Sequence, residues 1–207
     1  MDYDTIASTD SVTATATALT ERGFLPEIVA TRAEALARIK ELIPAGASVM
    51  NGSSRTLEEI GYIEYLKAGQ HGWNNLHEGI LAETDPAKQA ALRKQSVLSD
   101  FYLGSAHAIT QTGEIVIASN SGSQMPHLVF TSQNIILVVS AMKITPTLDA
   151  ALARLREHVY PLEDARMKQV YGPESGSFIS KLLILNKEPA YQNRKFHVIF
   201  VNEKVGF

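Results

Sequence analysis

Residues 135–139 read Ile-Ile-Leu-Val-Val, and no polar side chain breaks the run at either parity. A strand with one face in water alternates apolar and polar, so an unbroken run reads as a strand buried on both faces. It stops at Ser140, just before Lys143. Upstream, two further apolar runs, residues 106–110 and 114–118, flank Gln111-Thr112-Gly113 and read as a hairpin or paired strands. The second of these ends in Ser119-Asn120-Ser121-Gly122-Ser123-Gln124. Polar residues crowding the exits of buried strands are the signature of a ligand crevice in an α/β sheet. The stretch from residue 100 to 143 therefore marks a site, but does not spell out its chemistry.

The N-terminal half carries the matching pattern. Residues 27–31 are a strand candidate, and Thr31 with Glu34 forms a capping box. Leu36, Ile39 and Ile43 then repeat at helical spacing until Pro44 and Gly46. Residues 47–50 form a second strand, followed by a small-residue loop. Thr56 with Glu59 reads as a second capping box, opening a helix to about Lys67. Asp85-Pro86 starts another helix, ending near Leu98. From Thr145-Pro146 a helix places Leu148, Leu152, Leu155 and Val159 on one face; Pro161 interrupts it, and a further piece reaches about Tyr171. The last strands are 182–185 and 196–202.

At the N-terminus a Thr/Ala-rich helix over 11–22 is capped by Asp10 and closed by Gly23, while residues 1–10 are expected to fray. Residues 69–83 have no clear period. No repeat or linker divides the chain, so residues 1–207 are read as one domain. The expected class is α/β: a mainly parallel, Rossmann-like sheet with helices on both faces, plus an N-terminal helix.

Composition removes several functions. The chain has no cysteine, which excludes a disulfide, a thiolate nucleophile and an iron–sulfur cluster held by its own side chains. The net charge of −3 gives no reason to expect a nucleic-acid or membrane partner. No apolar run approaches the roughly 18 residues of a membrane span, and no basic-then-apolar leader opens the sequence. The expected compartment is the cytoplasm.

Three places are candidate ligand contacts. In the first, Gly52, Ser53, Ser54, Arg55 and Thr56 follow a strand and open a helix. Backbone N–H groups there can point into one concavity, with Arg55 adding charge, which suits a phosphate or carboxylate. An ordinary strand-to-helix turn with Ser53 and Ser54 capping fits equally well. In the second, Asn120, Ser121, Gly122, Ser123 and Gln124 offer hydroxyls, amides and a glycine permitting close approach; a polar surface turn is the alternative. In the third, Lys143 could neutralise an anion, act as a base if buried, or simply be exposed. Ser140-Ala141-Met142-Lys143 matches S-x-x-K, but after a strand rather than at a helix start, so the match is read as chance. Neither nucleotide fingerprint, a P-loop or G-x-G-x-x-G, is present. His71, His77 and Glu78 lack metal-site spacing. His107 is read as a core or crevice residue, and Glu114 as an exposed glutamate or a base.

Three stretches carry a resemblance: NGSSRTLEEIG at 51–61, SDFYLGSAHAITQTGEIVIASNSG at 99–122, and NIILVVSAMKITPTLDAALARLR at 134–156, continued by Tyr160-Pro161 and Ala165-Arg166. Together they resemble the LUD (lactate-utilisation) domain family over most of residues 10–170. The resemblance implies a fold like that of ribose-5-phosphate isomerase, glucosamine-6-phosphate deaminase and the CoA transferases. It also implies a bacterial protein of lactate or organic-acid use, working beside iron–sulfur oxidoreductase subunits. The sequence departs from relatives at Ser121-Gly122-Ser123-Gln124, where many have Thr-Gly-Asn-Arg, and at Ser140-Ala141-Met142-Lys143, where the pattern is Gly-x-Asn-Lys.

The expectation is thus a LUD-type protein binding a small anionic metabolite, as an enzyme or an enzyme subunit. A ligand-sensing or scaffold module on the same fold is the alternative. A folate ligase on that fold would want a glycine/tyrosine-rich phosphate loop that this chain lacks. Cofactor, catalytic residues and oligomeric state, a homo-oligomer included, are not specified.

Overall fold

The computed structural model describes residues 3–207. The strands, in chain order, are β1 (Leu25–Val29), β2 (Ser48–Asn51), β3 (Asn74–Asn75), β4 (Phe101–Gly104), β5 (Ala108–Thr110), β6 (Ile115–Ser119), β7 (Asn134–Ser140), β8 (Ile144–Thr145), β9 (Lys181–Leu185) and β10 (Lys195–Val201). Six of them make a parallel sheet in the order β1-β10-β7-β4-β2-β3. The other four make a smaller mixed sheet, β8-β5-β6-β9.

The apolar run 135–139 becomes β7, in the middle of the parallel sheet between β10 and β4. Its two parities serve two cores. Ile135, Leu137 and Val139 pack with Phe196, Val198 and Phe200 against Leu19 of helix α1 (Thr9–Glu21) and against Ile109, Ile115 and Ile117 of the smaller sheet. Ile136 and Val138 face the other way, toward α2 (Arg32–Leu42), α3 (Arg55–Glu59) and α4 (Tyr62–Lys67), through Ile39, Leu57 and Tyr62. Full burial of each such aliphatic side chain contributes about 1.5–3 kcal/mol, so the run needs both layers to form at all. Helices α5 (Leu76–Ala82) and α6 (Pro86–Gln95) follow at the β3 edge.

The hairpin expected at 106–118 forms as β5 and β6, pairing antiparallel around Gly113, whose φ is +91°. It belongs to the second sheet, one face of which meets the parallel sheet. The other face, with Ala108 and Val116, packs on Ala151, Leu155 and Val159 of a long helix made of α7 (Leu148–Arg154), a wide turn at Leu155–Val159 and α8 (Tyr160–Tyr171). Pro161 does not break this helix. The Tyr160 N–H bonds to the Leu155 carbonyl five residues back, widening the helix just where proline has no N–H to give.

Other details differ from the sequence reading. Helix α1 is capped by the Ser8 hydroxyl, which accepts from the Ser11 N–H, rather than by Asp10. Tyr3 donates to Glu157, so the described part of residues 1–10 is tied to the long helix; residues 1 and 2 lie outside the described residues. The helix expected from Thr56 to Lys67 is two helices, split at Gly61 with φ +81°. Residues 69–83 hold β3 and α5.

The topology leaves a gap at one place. After β2 the chain moves toward β3 on one side; after β4 it leaves for β5 and β6 of the second sheet and returns as β7 on the other side. Because β2 and β4 are neighbours, their departing loops separate and open a crevice at the carboxyl ends of the strands.

Candidate functional site

That crevice is a cavity of about 430 Å³. Three adjacent strands end at it: β2 leads into residues 52–56, β4 into Ser105 and His107, and β7 into Lys143. The loop after β6 forms a facing wall, and Leu155, Val159, Met167, Phe178 and Phe207 supply an apolar side. A volume of this size suits a small metabolite.

Lys143 is 3% exposed. Its Nζ lies 2.9 Å from Thr56 Oγ1 and 3.2 Å from Ser105 Oγ. Among the described residues no carboxylate pairs with it. Burial pushes its pKa down to about 7, the Arg154 cation adds to the fall, and Glu59 opposes it. The amine is therefore close to half protonated at neutral pH. Gly206 lets the chain cross directly over this group. Its N–H donates to Glu59 at 2.8 Å, its φ is +70°, and a Cβ there would collide with Thr56 Oγ1 and sit 2.8 Å from Lys143 Nζ. Gly206→Ala is expected to cost about 1–3 kcal/mol in urea unfolding, through strain and overpacking. Gly46→Ala, with φ +82° but open space around the new methyl group, should cost less. Equal losses would show that contact with Thr56 and Lys143 is not the constraint.

His107 is held in one tautomer. Its Nδ1 accepts the Ala118 N–H at 3.1 Å, so in the neutral ring the proton sits on Nε2. Burial first, then the Lys143 and Arg154 cations, push its pKa down to about 3, which keeps the imidazole neutral at any ordinary pH. Behind it Arg154, fully buried, donates from Nη1 to the His107 carbonyl at 2.7 Å. Among the described residues, its Nε and Nη2 have no hydrogen-bond partner. Burial lowers its pKa to about 10, which still leaves it charged.

The two loops and Lys143, far apart in the chain, line one cavity. Gly52, Ser53, Ser54, Arg55, Thr56, Asn120, Ser121, Ser123, Gln124 and Lys143 all border it. Gly122 does not: with φ +85° it turns the loop, packs against the Lys181 side chain, and borders a shallow surface groove instead. Arg55 borders the cavity but its guanidinium is engaged by Glu59 at 2.7 Å and Glu58 at 3.4 Å on its own helix turn, so it is not the free charge the sequence suggested. Thr56 is not a helix cap. Ser54 caps the Leu57 N–H, which frees the Thr56 hydroxyl for Lys143 and Ser105.

Several other side chains are held by the protein itself. Ser53 accepts from Arg166, Asn120 accepts from Ser180, and Gln124 bridges Tyr102 and the Ala118 carbonyl. Gly52 is required by a close approach, since a Cβ there would lie 2.6 Å from the Tyr102 hydroxyl.

The sequence reading missed Ser105, Tyr102 and Arg93. Arg93 lines the cavity and has no ion pair among the described residues. Ser105 carried one signal, its place one residue past a buried strand. Glu114 is not a base for this site. It is bound by Thr110, by Thr112 and, at 2.6 Å, by Arg22, which clamps the hairpin turn to α1. Ser140 is also absent from the cavity; it donates to the Glu203 carbonyl at 2.6 Å. His71 accepts the Trp73 N–H, and among the described residues no group of three or more His, Cys, Asp or Glu could hold a metal ion. No described helix is long and apolar enough to cross a membrane.

A parallel Rossmann-like sheet flanked by helices, with a cavity at its strand ends, places the protein in the α/β class. The chain belongs to the LUD domain family, whose model matches residues 12–201. A crystal structure of a DUF162 family protein from Deinococcus radiodurans is similar to it, with a TM-score of 0.56 at 15% identity. That similarity covers 96% of this chain and 100% of that one. Among curated proteins, none matches.

Proposed function

We propose that this protein binds a small anionic metabolite, a hydroxy or keto acid of organic-acid utilisation of the lactate type, in the strand-end cavity. One observation carries the reading. The Lys143 ammonium is buried against two hydroxyls and, among the described residues, forms no ion pair: Glu59 is near enough to act on it but is bound to Arg55 and the Gly206 N–H. A buried cation without a counterion is costly, and an anion entering the cavity removes that cost. Arg93 adds a second cation at the same cavity, with no ion pair among the described residues. The apolar side contributed by Leu155, Val159 and Phe207 suits a short carbon chain. With no cysteine in the chain, electrons from such a metabolite would pass to a partner or a bound cofactor, and an iron–sulfur oxidoreductase subunit fits the partner's role.

The test is a thermal-shift screen with lactate, glycolate, pyruvate, sugar phosphates and acyl-CoA at pH 6 and pH 8.5. A ligand at 100 times its Kd stabilises the native state by about 2.7 kcal/mol. Binding is expected at pH 6 and is expected to weaken at pH 8.5, because the ammonium is lost as pH rises past about 7. Lys143→Met should abolish the shift. A shift that survives in Lys143→Met, or no shift with any of these anions, overturns the reading.

A further inference from the structure

We propose that Ser105 is a nucleophile and Lys143 its general base, so that the cavity supports acyl transfer from a small ester or thioester. The argument starts from three side chains on three different elements. Ser105 Oγ, one residue beyond β4, lies 3.2 Å from Lys143 Nζ, just past β7. Thr56 Oγ1, from α3, bonds to both, at 2.9 Å to Nζ and 3.2 Å to Ser105 Oγ. A nucleophile, a base within hydrogen-bond reach and a third group orienting the base make the arrangement by which a hydroxyl is activated. Serine–lysine pairs of this kind recur on unrelated folds. The S-x-x-K match in the sequence plays no part in this: Ser140 is turned away to the Glu203 carbonyl, and the serine beside Lys143 is Ser105, 38 positions earlier in the chain.

The lysine environment is what the role needs. A lysine serves as a base only when neutral, and the groups facing Lys143 are Arg154 from α7, Glu59 from α3 and His107 from the β4–β5 connection. Burial and Arg154 outweigh Glu59, bringing the amine to about 7. In the reaction, Ser105 Oγ attacks the acyl carbonyl carbon while its proton passes to the Lys143 amine. His107 lines the same cavity with its proton on Nε2, as the Ala118 N–H bond to Nδ1 fixes, and that N–H is the donor available to the resulting oxyanion. Collapse breaks the bond to the alcohol or thiol, which leaves with the proton from Lys143. Water then releases the acid by the same two steps, and serine and amine are regenerated.

This goes beyond anion binding, and it uses the opposite protonation state of Lys143. The two readings therefore predict opposite pH trends and can fail separately. The full chain is treated with an alkyl fluorophosphonate, and separately with 4-nitrophenyl acetate, across pH 5.5–9, and adducts are located by peptide mass mapping. The expected result is a single adduct on Ser105, formed faster as pH rises through about 7 and then levelling. Ser105→Ala should give none. Lys143→Arg keeps the cation but cannot release its proton, and should slow labelling by at least about 100-fold, with Lys143→Met as the second variant if arginine does not fit. No adduct, an adduct on Ser53, Ser54 or the Lys143 amine, or undiminished labelling in Lys143→Met overturns the proposal. In the wild type, Ser105 labelling with no thermal shift from any of the anions overturns only the anion reading.

Discussion

Lys143→Met is expected to be more stable than the wild type at pH 6, by about 2–3 kcal/mol, while losing the ligand response. The physical reason is that the folded state disfavours the charge on this amine. Its pKa falls from 10.5 to about 7 on burial. At about 1.4 kcal/mol for each pH unit, that is a folding penalty on the order of 4–5 kcal/mol when the amine is charged. Methionine removes the penalty but leaves Thr56 and Ser105 without the lysine donor, which returns about 1–2 kcal/mol.

The sign with pH follows. Below about pH 7 the folded and unfolded forms both carry the proton, and the wild type bears the full cost. Between about 7 and 10.5 the unfolded chain binds the proton and the folded chain does not, so wild-type stability rises with pH relative to the variant. Urea unfolding at pH 6, 8 and 10 should show the advantage of the variant shrinking by pH 8 and reversing by pH 10. A variant less stable than wild type at pH 6 would mean that the amine is not strained by its burial.

Arg194→Met should lose about 3–5 kcal/mol, the largest effect expected from any single change considered. Arg194 sits just before β10, and its side chain is 4% exposed. It donates to the carbonyls of His127, Leu128, Val129 and Ser132 at 2.9–3.1 Å, tying together the wide helical turn His127–Thr131 and the residue after it. It also faces Glu188 at 3.5 Å, a carboxylate 6% exposed whose pKa burial pushes up. Methionine would leave that carboxylate buried without its partner, together with the four carbonyls. Glu188→Gln added to Arg194→Met should recover part of the loss in urea unfolding, since it removes the orphaned charge. No recovery would place the cost in the carbonyl contacts alone. The effect should reach the cavity wall, because His127 stacks on Tyr102 at 4.4 Å and Tyr102 holds Gln124.

The parts of this architecture that were legible in the chain are those set by local rules. The unbroken run 135–139 forecast a strand covered on both sides, and its two parities do serve two cores. The Thr31–Glu34 cap, the Asp85-Pro86 helix start and the Gln111-Thr112-Gly113 turn formed as their residue types require. Local signals failed where a tertiary partner competed for the same atom. Thr56 reads as a helix cap, yet its hydroxyl goes to Lys143 and Ser105 while Ser54 does the capping. Pro161 reads as a helix stop, yet packing of Leu155 and Val159 on the second sheet carries the helix through it. Arg55 reads as a charge for a ligand, yet Glu58 and Glu59, three and four residues on, take it up.

The sequence by itself determined the α/β class, the strand-end position of two small-residue loops, and the kinship with LUD domains, because periodicity, caps and turns depend on residues close together in the chain. Only the tertiary structure decided that Thr56, Ser105 and Lys143 meet, that His107 presents one fixed tautomer, and that Arg154 lies behind both. Those facts depend on the order of strands in the sheet. Strand order places residues 38 to 87 positions apart within hydrogen-bond distance, and it sets the burial that brings a lysine from an ordinary ammonium to an amine near neutrality.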